Sequence, residues 1–177
     1  GECVVRRLRD AGLKVYALSA HSDKADIKLD VQDSQEVMRV FEQIYKKEGR
    51  IDVLVNNAGI AENATIKDTS NEMWKRILGI NLFGAFYCLR EVLKYMKKGG
   101  VIVNVASSGI DGGRAGEGAY GSSKISLEHL SKVAALENKD REISVFTVCP
   151  TRTNTPLRSK LHPDEDSSKL PTSCRCK

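Results

Sequence analysis

The sequence predicts an α/β protein in which a doubly wound parallel sheet forms the middle of three layers, and three observations carry that prediction. Strand-like and helix-like patterns alternate along the chain with short connections, as a parallel sheet with helices on both faces requires. Residues 51–55 form an apolar run of the kind found in a strand covered on both faces. Residues 101–130 open on the strand pattern VIVNV, cross a glycine-rich loop and become helical from about Ala119.

Taken in order, residues 2–11 carry Val4, Val5 and Leu8 at helical spacing, and Gly12 is a C-terminal stop. A short strand follows at 14–19, then a polar turn at 20–25 and a second strand at 27–29 that ends at Asp30. Asp33 or Ser34 caps a helix through Glu48, whose apolar face holds Val37, Val40, Phe41 and Ile44. Gly49 ends it ahead of the strand at 51–55. Ser70 caps a long helical region through Lys98, loosened between Gly79 and Gly84, and Gly99-Gly100 close it before the strand at 101. Residues 143–149 read as one more strand. From His162 the pattern disintegrates, so the expected organisation is one domain over 1–160 and an irregular or disordered tail over 161–177.

The charge balance narrows the function classes. Net charge is +5, but Lys and Arg are interleaved with Asp and Glu, which describes a solvated surface and not a nucleic-acid or membrane patch. No apolar run approaches the ~20 residues of a membrane span, and no secretory signal is evident. The five cysteines are odd in number and mostly sit in apolar stretches, so reduced thiols in a cytoplasmic protein are expected. Cys174 and Cys176 with His162 make a poor metal site on such a tail, and no metal is expected.

Three motifs carry chemistry. Asn56-Asn57-Ala58-Gly59 follows the strand at 51–55, where small residues let a ligand or loop approach the backbone. Alone, it reads equally well as an Asn-Gly turn. Asn81 lies within GINLFGAF, where a polar amide among apolar neighbours is more often a satisfied core group than a catalytic one. Ser107 stands at a strand end, thirteen residues before Tyr120, and Lys124 follows Tyr120 at i+4 on the next helix. Ser108 is the adjacent candidate, twelve residues before Tyr120. A hydroxyl, a phenol and an ammonium thereby converge at the carboxyl end of a strand, where open α/β sheets bind ligands.

Over roughly residues 1–156 these motifs, in this order and spacing, resemble the short-chain dehydrogenase/reductase family. The resemblance implies a Rossmann-like sheet of strand order 3-2-1-4-5-6-7 and an NAD(P)-dependent oxidoreductase acting on a carbonyl or secondary alcohol. It makes Asn81, Ser107, Tyr120 and Lys124 the catalytic four, with Asn81 in a water-linked proton relay to Lys124. Asp30-Val31 looks like the family's pair near the adenine ring. Asn56, Asn57, Ala58 and Gly59 look like its cofactor-side turn, and Pro150, Thr153 and Thr155 like its segment under the nicotinamide; Tyr120 and Lys124 also face the cofactor. Ser19 stands where NAD-preferring relatives carry an acid. With His21 and Lys24 nearby it tolerates a 2′-phosphate, so NADP is preferred over NAD. Relatives pair the helices near 70–98 and 118–138 across a two-fold axis, which implies a homodimer or homotetramer.

The residue types suit that chemistry. A carbonyl that accepts hydride needs a proton, and an unperturbed phenol of pKa about 10 supplies it poorly at neutral pH. An ammonium ~4 Å away favours the phenolate by up to about 4 kcal/mol at an effective dielectric of 20, or roughly three pKa units. Ser107 would polarise the substrate oxygen.

The chain departs from the family pattern at both ends. The glycine-rich phosphate loop and the strand before it are not present, and Gly1 aligns with the last glycine of that loop. Loss of a central first strand implies a gap in the sheet. Thr151 replaces the usual glycine after Pro150, and neither the substrate-covering helix nor a final strand is evident after Thr155. A fragment of such an enzyme is the expectation. The alternative is a non-catalytic protein of the same fold that serves as a binding or dimerisation partner. Extended nucleotide-sugar epimerases share Tyr-x-x-x-Lys but not the Asn-Asn-Ala-Gly turn.

Overall fold

A computed structural model describes residues 1–108 and 112–172. The chain divides into two compact units, Gly1–Asp30 with Arg152–Lys177, and Val31–Thr151.

In the first unit, α1 (Glu2–Asp10) starts directly after Gly1 and is closed by Gly12, whose φ of 81° lies in the left-handed region. Two parallel strands follow, β1 (Leu18–Ser19) and β2 (Ile27–Lys28). They are shorter than the sequence predicts, because parallel pairing spans only Leu18 with Ile27 and Ser19 with Lys28. The Asp26 carboxylate braces the connection between them, accepting from the Ala17 N–H at 2.6 Å and from Arg9 at 2.7 Å. Later in the chain, the Thr155 hydroxyl caps a short helix, α6 (Pro156–Leu161), by accepting from the Arg158 N–H. A helix therefore does follow Thr155, correcting the expectation of none. Arg158 grips Glu165 through two hydrogen bonds of 2.6 and 3.0 Å, and Asn154 bridges to Thr172.

The second unit holds the larger core. Its helices start where polar caps were expected. The Asp33 carboxylate accepts from the Gln35 and Glu36 N–H groups at the head of α2 (Ser34–Glu48), and those donors hold its carboxyl below the usual carboxylate range. Val37, Val40 and Phe41 bury the apolar stripe. The strand β3 (Ile51–Asn56) leads to α3 (Asn71–Leu78), whose first turn donates to the Ser70 hydroxyl. The backbone then loosens into a π-turn over Gly79–Gly84, where the sequence anticipates it, and tightens again into α4 (Ala85–Tyr95).

One boundary differs. The helix ends at Tyr95, and β4 (Met96–Val105) begins five residues before the predicted strand. Met96 pairs with Ile51, after which the register shifts so that Val53 pairs with Val101. The extra residues around Gly99-Gly100 form an irregularity in the strand, not a connection ahead of it. The chain continues through α5 (Gly118–Glu137) to β5 (Ser144–Val148).

The parallel strands form two sheets, β1–β2 and β3–β4–β5. Each pairing matches neighbouring strands in the order that the resemblance implies. In the second unit, α4 packs on β3 and β4, α5 on β4 and β5, and α2 on α4. Leu54, Asn56, Ile102 and Asn104 form the buried face of the sheet, while Val53, Phe146 and Val148 on the other face are 41%, 55% and 46% exposed. Residues 31–151 therefore cover β3 on one face, not on both as its apolar run suggests.

Cys88 and Cys149 are free thiols, whereas Cys3 is disulfide-bonded, which corrects the expectation of uniformly reduced cysteines. Cys174 and Cys176 lie outside the described residues. Among the described residues no helix is long and apolar enough to cross a membrane.

Candidate active site

The site is built on a polar ladder in the core of the second unit. Asn56, at the end of β3, donates its amide to the Asn104 side-chain oxygen at 2.8 Å and to the Ala85 carbonyl at 3.3 Å. Asn104, in β4, donates in turn to the Ser131 hydroxyl at 2.8 Å, and Ser131 donates to the Leu127 carbonyl within α5. Buried polar groups must be paired, and these side chains pair with one another. The chain of bonds ties β3, β4, α4 and α5 together and so sets how α5 lies on the strand ends.

Tyr120 and Lys124 occupy the first turns of α5 and are 9% and 4% exposed. The Lys124 ammonium donates to the Val105 carbonyl, the last residue of β4, at 2.7 Å, and lies 5.9 Å from the centroid of the Tyr120 ring. Burial disfavours its charged form and pushes its pKa down to about 8. Ser107 follows two residues after Val105 and is half-buried. The neighbouring Ser108 N–H donates to the Pro150 carbonyl at 3.3 Å, which brings Pro150 alongside the end of β4.

Asn81 sits within the π-turn and is fully buried. Its side-chain oxygen accepts from the Ile60 N–H at 2.8 Å, and its amide donates to the Ile60 carbonyl at 2.9 Å and to the Ser123 hydroxyl at 3.1 Å. Gly59 passes directly over this group. A Cβ there would stand 3.3 Å from Asn81 Oδ1 and 3.4 Å from Lys124 Nζ. Gly59, Asn81, Tyr120 and Lys124 thus lie close together near the end of β4.

The other singled-out residues fall as follows. Asn57 and Ala58 are exposed beside Gly59, while the Asn56 side chain turns into the core. Val31 packs against the π-turn, since a Cβ on Gly84 would come within 2.5 Å of Val31 Cγ2. In the first unit, Gly1 is the N-cap of α1, and Asp30 is exposed after β2. The Ser19 hydroxyl accepts from the His21 and Ser22 N–H groups, and Lys24 pairs with Glu2. Thr153 and Thr155 are half-buried ahead of α6. The sequence reading passed over Ser123, Asn104 and Ser131. The signal for the two serines was the buried face of α5, where Ser123, Leu127, Ser131 and Ala134 recur at near four-residue spacing.

The parallel sheets flanked by helices define a protein of the Rossmann-like α/β class. The chain belongs to the short-chain dehydrogenase family, whose model matches residues 1–166. It is similar to a 3beta-hydroxysteroid dehydrogenase of Mediterraneibacter gnavus, at 33% identity over 166 residues, covering 93% of this chain and 57% of that protein. The chain spans little more than half the length of that relative. Among solved structures it resembles the ligand-free aldohexose dehydrogenase of Thermoplasma acidophilum, with a TM-score of 0.84 at 34% identity over 89% of this chain and 64% of that one. It also resembles ElxO with NADP bound, with a TM-score of 0.89 at 28% identity over 98% of this chain and 82% of that one.

Proposed function

We propose that the protein transfers hydride between a nicotinamide dinucleotide and a carbonyl or secondary alcohol, with Tyr120 as general acid and base. The observation that carries this reading is the convergence of Asn81, Tyr120 and Lys124 under Gly59 at the end of β4. The residues present fit the nicotinamide end of such a cofactor, because exposed Asn57 and Ala58 leave a strand-end backbone open to a ligand, while glycine at 59 lets that turn lie close against Asn81 and Lys124. When bound, the dinucleotide supplies or receives the hydride, and the protein orients it.

The protein's own part is proton handling. The Tyr120 phenol gives its proton to the substrate oxygen in reduction and takes it back in oxidation. The Lys124 cation favours the phenolate, and its burial makes it a readier proton donor than an exposed lysine. Ser107 holds the substrate oxygen, and Asn81 takes part in a water-linked proton relay to Lys124. Asn57, Ala58, Gly59, Lys124 and Pro150 would hold the nicotinamide end, to which the family pattern also gives Thr153 and Thr155. Gly1, Ser19, Asp30 and Val31 are the residues that the family pattern gives to the phosphate and adenosine end. Asn56 instead supports the strand end, since its amide is committed to Asn104 and Ala85.

NADP is the preferred cofactor. Position 19 carries a hydroxyl and no carboxylate, and ElxO binds NADP. The protein pairs with itself through the apolar groove between the π-turn with α4 and α5, lined by Leu82, Phe83, Phe86, His129, Leu130 and Val133.

The deciding experiment follows NADP reduction across a panel of secondary alcohols in wild type and Tyr120→Phe. The variant should lose at least about a hundredfold in kcat while NADPH affinity stays within twofold. Full turnover by Tyr120→Phe would overturn the mechanism. Ser19→Asp should weaken NADPH binding and spare NADH.

A further inference from the structure

Ser123 lies between Tyr120 and Lys124 in sequence and is fully buried, yet the proton transfers above give it no part. Its hydroxyl donates to the Tyr120 carbonyl, three residues back, at 2.7 Å. With its proton committed there, the oxygen presents lone pairs to the second amide hydrogen of Asn81 at 3.1 Å. The first amide hydrogen and the side-chain oxygen of Asn81 are both held by Ile60. Every hydrogen of the Asn81 amide is therefore assigned, and Ser123 is the link between Asn81 and the helix that carries Tyr120 and Lys124.

We propose that Ser123 is a positioning residue that acts through Asn81, locking its amide, and with it the Gly59–Ile60 backbone, against the first turn of α5. For turnover this rests on the reaction assigned above; for the amide geometry it does not. A serine placed only to build the helix is a poor choice, since alanine has the higher helix propensity. Its value here is the acceptor it offers to a buried N–H.

The test separates the two readings. In 15N-labelled protein the Asn81 side-chain amide hydrogens should exchange slowly. Ser123→Ala should speed their exchange by at least about tenfold, the effect of losing one buried hydrogen bond, and Ser131→Ala should leave them unchanged. Ser123→Cys, which keeps a weak acceptor, should fall between, and serves if the alanine variant does not fold. In steady-state kinetics Ser123→Ala should lower kcat more than it raises KM, and should have no further effect in an Asn81→Ala background. Unchanged Asn81 exchange in Ser123→Ala, or an equal loss of kcat in both backgrounds, overturns the proposal. Full turnover by Tyr120→Phe would instead strike the assigned reaction, and the exchange measurement would still decide the role of Ser123.

Discussion

The Lys124 ammonium donates to the Val105 carbonyl across 2.7 Å, joining the head of α5 to the last residue of β4. The bond places a cation in a site only 4% exposed, and its partner carries no formal charge. Desolvation is accordingly the cause of the shift, which takes the lysine from 10.5 down to about 8.

That shift makes stability depend on pH. Between about pH 8 and 10.5 the unfolded chain binds a proton that folded Lys124 has released, so stability rises with pH across that window. Below pH 8 both states are charged and the cost is constant. Lys124→Met removes this contribution, at the expense of an unpaired Val105 carbonyl. The unfolding free energy of wild type should gain about 3 kcal/mol on the variant between pH 7.5 and 10.5, an order-of-magnitude figure from the size of the shift. Urea titrations of both proteins at several pH values check it, and parallel pH curves would defeat it.

Gly59 and Gly84 should respond differently to alanine. At Gly59 the added Cβ meets the ends of two side chains at 3.3 and 3.4 Å, which can yield by a few tenths of an ångström. Gly59→Ala should fold with a cost below about 1 kcal/mol but displace Asn81 and Lys124 enough to depress kcat. At Gly84 the Cβ would lie 2.5 and 2.8 Å from Val31 side-chain atoms and 3.2 Å from its carbonyl oxygen. Gly84→Ala should cost about 1–3 kcal/mol by overpacking. Denaturation midpoints alongside kinetics separate the two, and equal destabilisation would contradict the assignment.

The contrast between those sites and the strands shows where sequence patterns suffice. Tyr120 and Lys124 were legible because four-residue spacing on a helix fixes a shared face whatever surrounds it. The π-turn was legible because Gly79, Asn81 and Gly84 interrupt good helix formers. The start of β4 was not. Met96, Lys97 and Lys98 continue a helical pattern, and only pairing with Ile51, 45 residues earlier, makes a strand of Met96. Alternation in VIVNV correctly puts Ile102 and Asn104 on one face, but the valines suggest the wrong face as the buried one. Asn104 can point inward because Asn56 and Ser131 await it, and neither is near it in sequence.

That ladder predicts an asymmetry between its members. Ser131→Ala strips the acceptor from the Asn104 amide and leaves a buried N–H unpaired, which costs about 1–3 kcal/mol. Adding Asn104→Leu removes the stranded donor but strands Asn56 in its place, so the double variant should not recover wild-type stability. The triple variant with Asn56→Val leaves only the Ala85 carbonyl, which helix geometry already serves, and should recover part of the loss. Urea midpoints read all three, and additive losses along the series would rule out a connected ladder.

The two free thiols among the described residues give a measure of how tightly α4 is held. Cys149 is exposed just after β5, while Cys88 is 4% exposed on the face of α4 packed within the second unit. Burial pushes the Cys88 thiol up to about 12, so at pH 8 only about one molecule in 10,000 carries the reactive thiolate even before access is considered. An alkylating reagent at pH 8 should therefore modify Cys149 in the native protein within minutes and leave Cys88 intact. In urea below the unfolding midpoint, Cys88 should become modified at a rate set by opening of the core around α4. Peptide mass spectrometry over a time course reads both sites independently. Native modification of Cys88 at the rate of Cys149 would mean that α4 is not packed as described, and would withdraw the support it gives to the π-turn and Asn81.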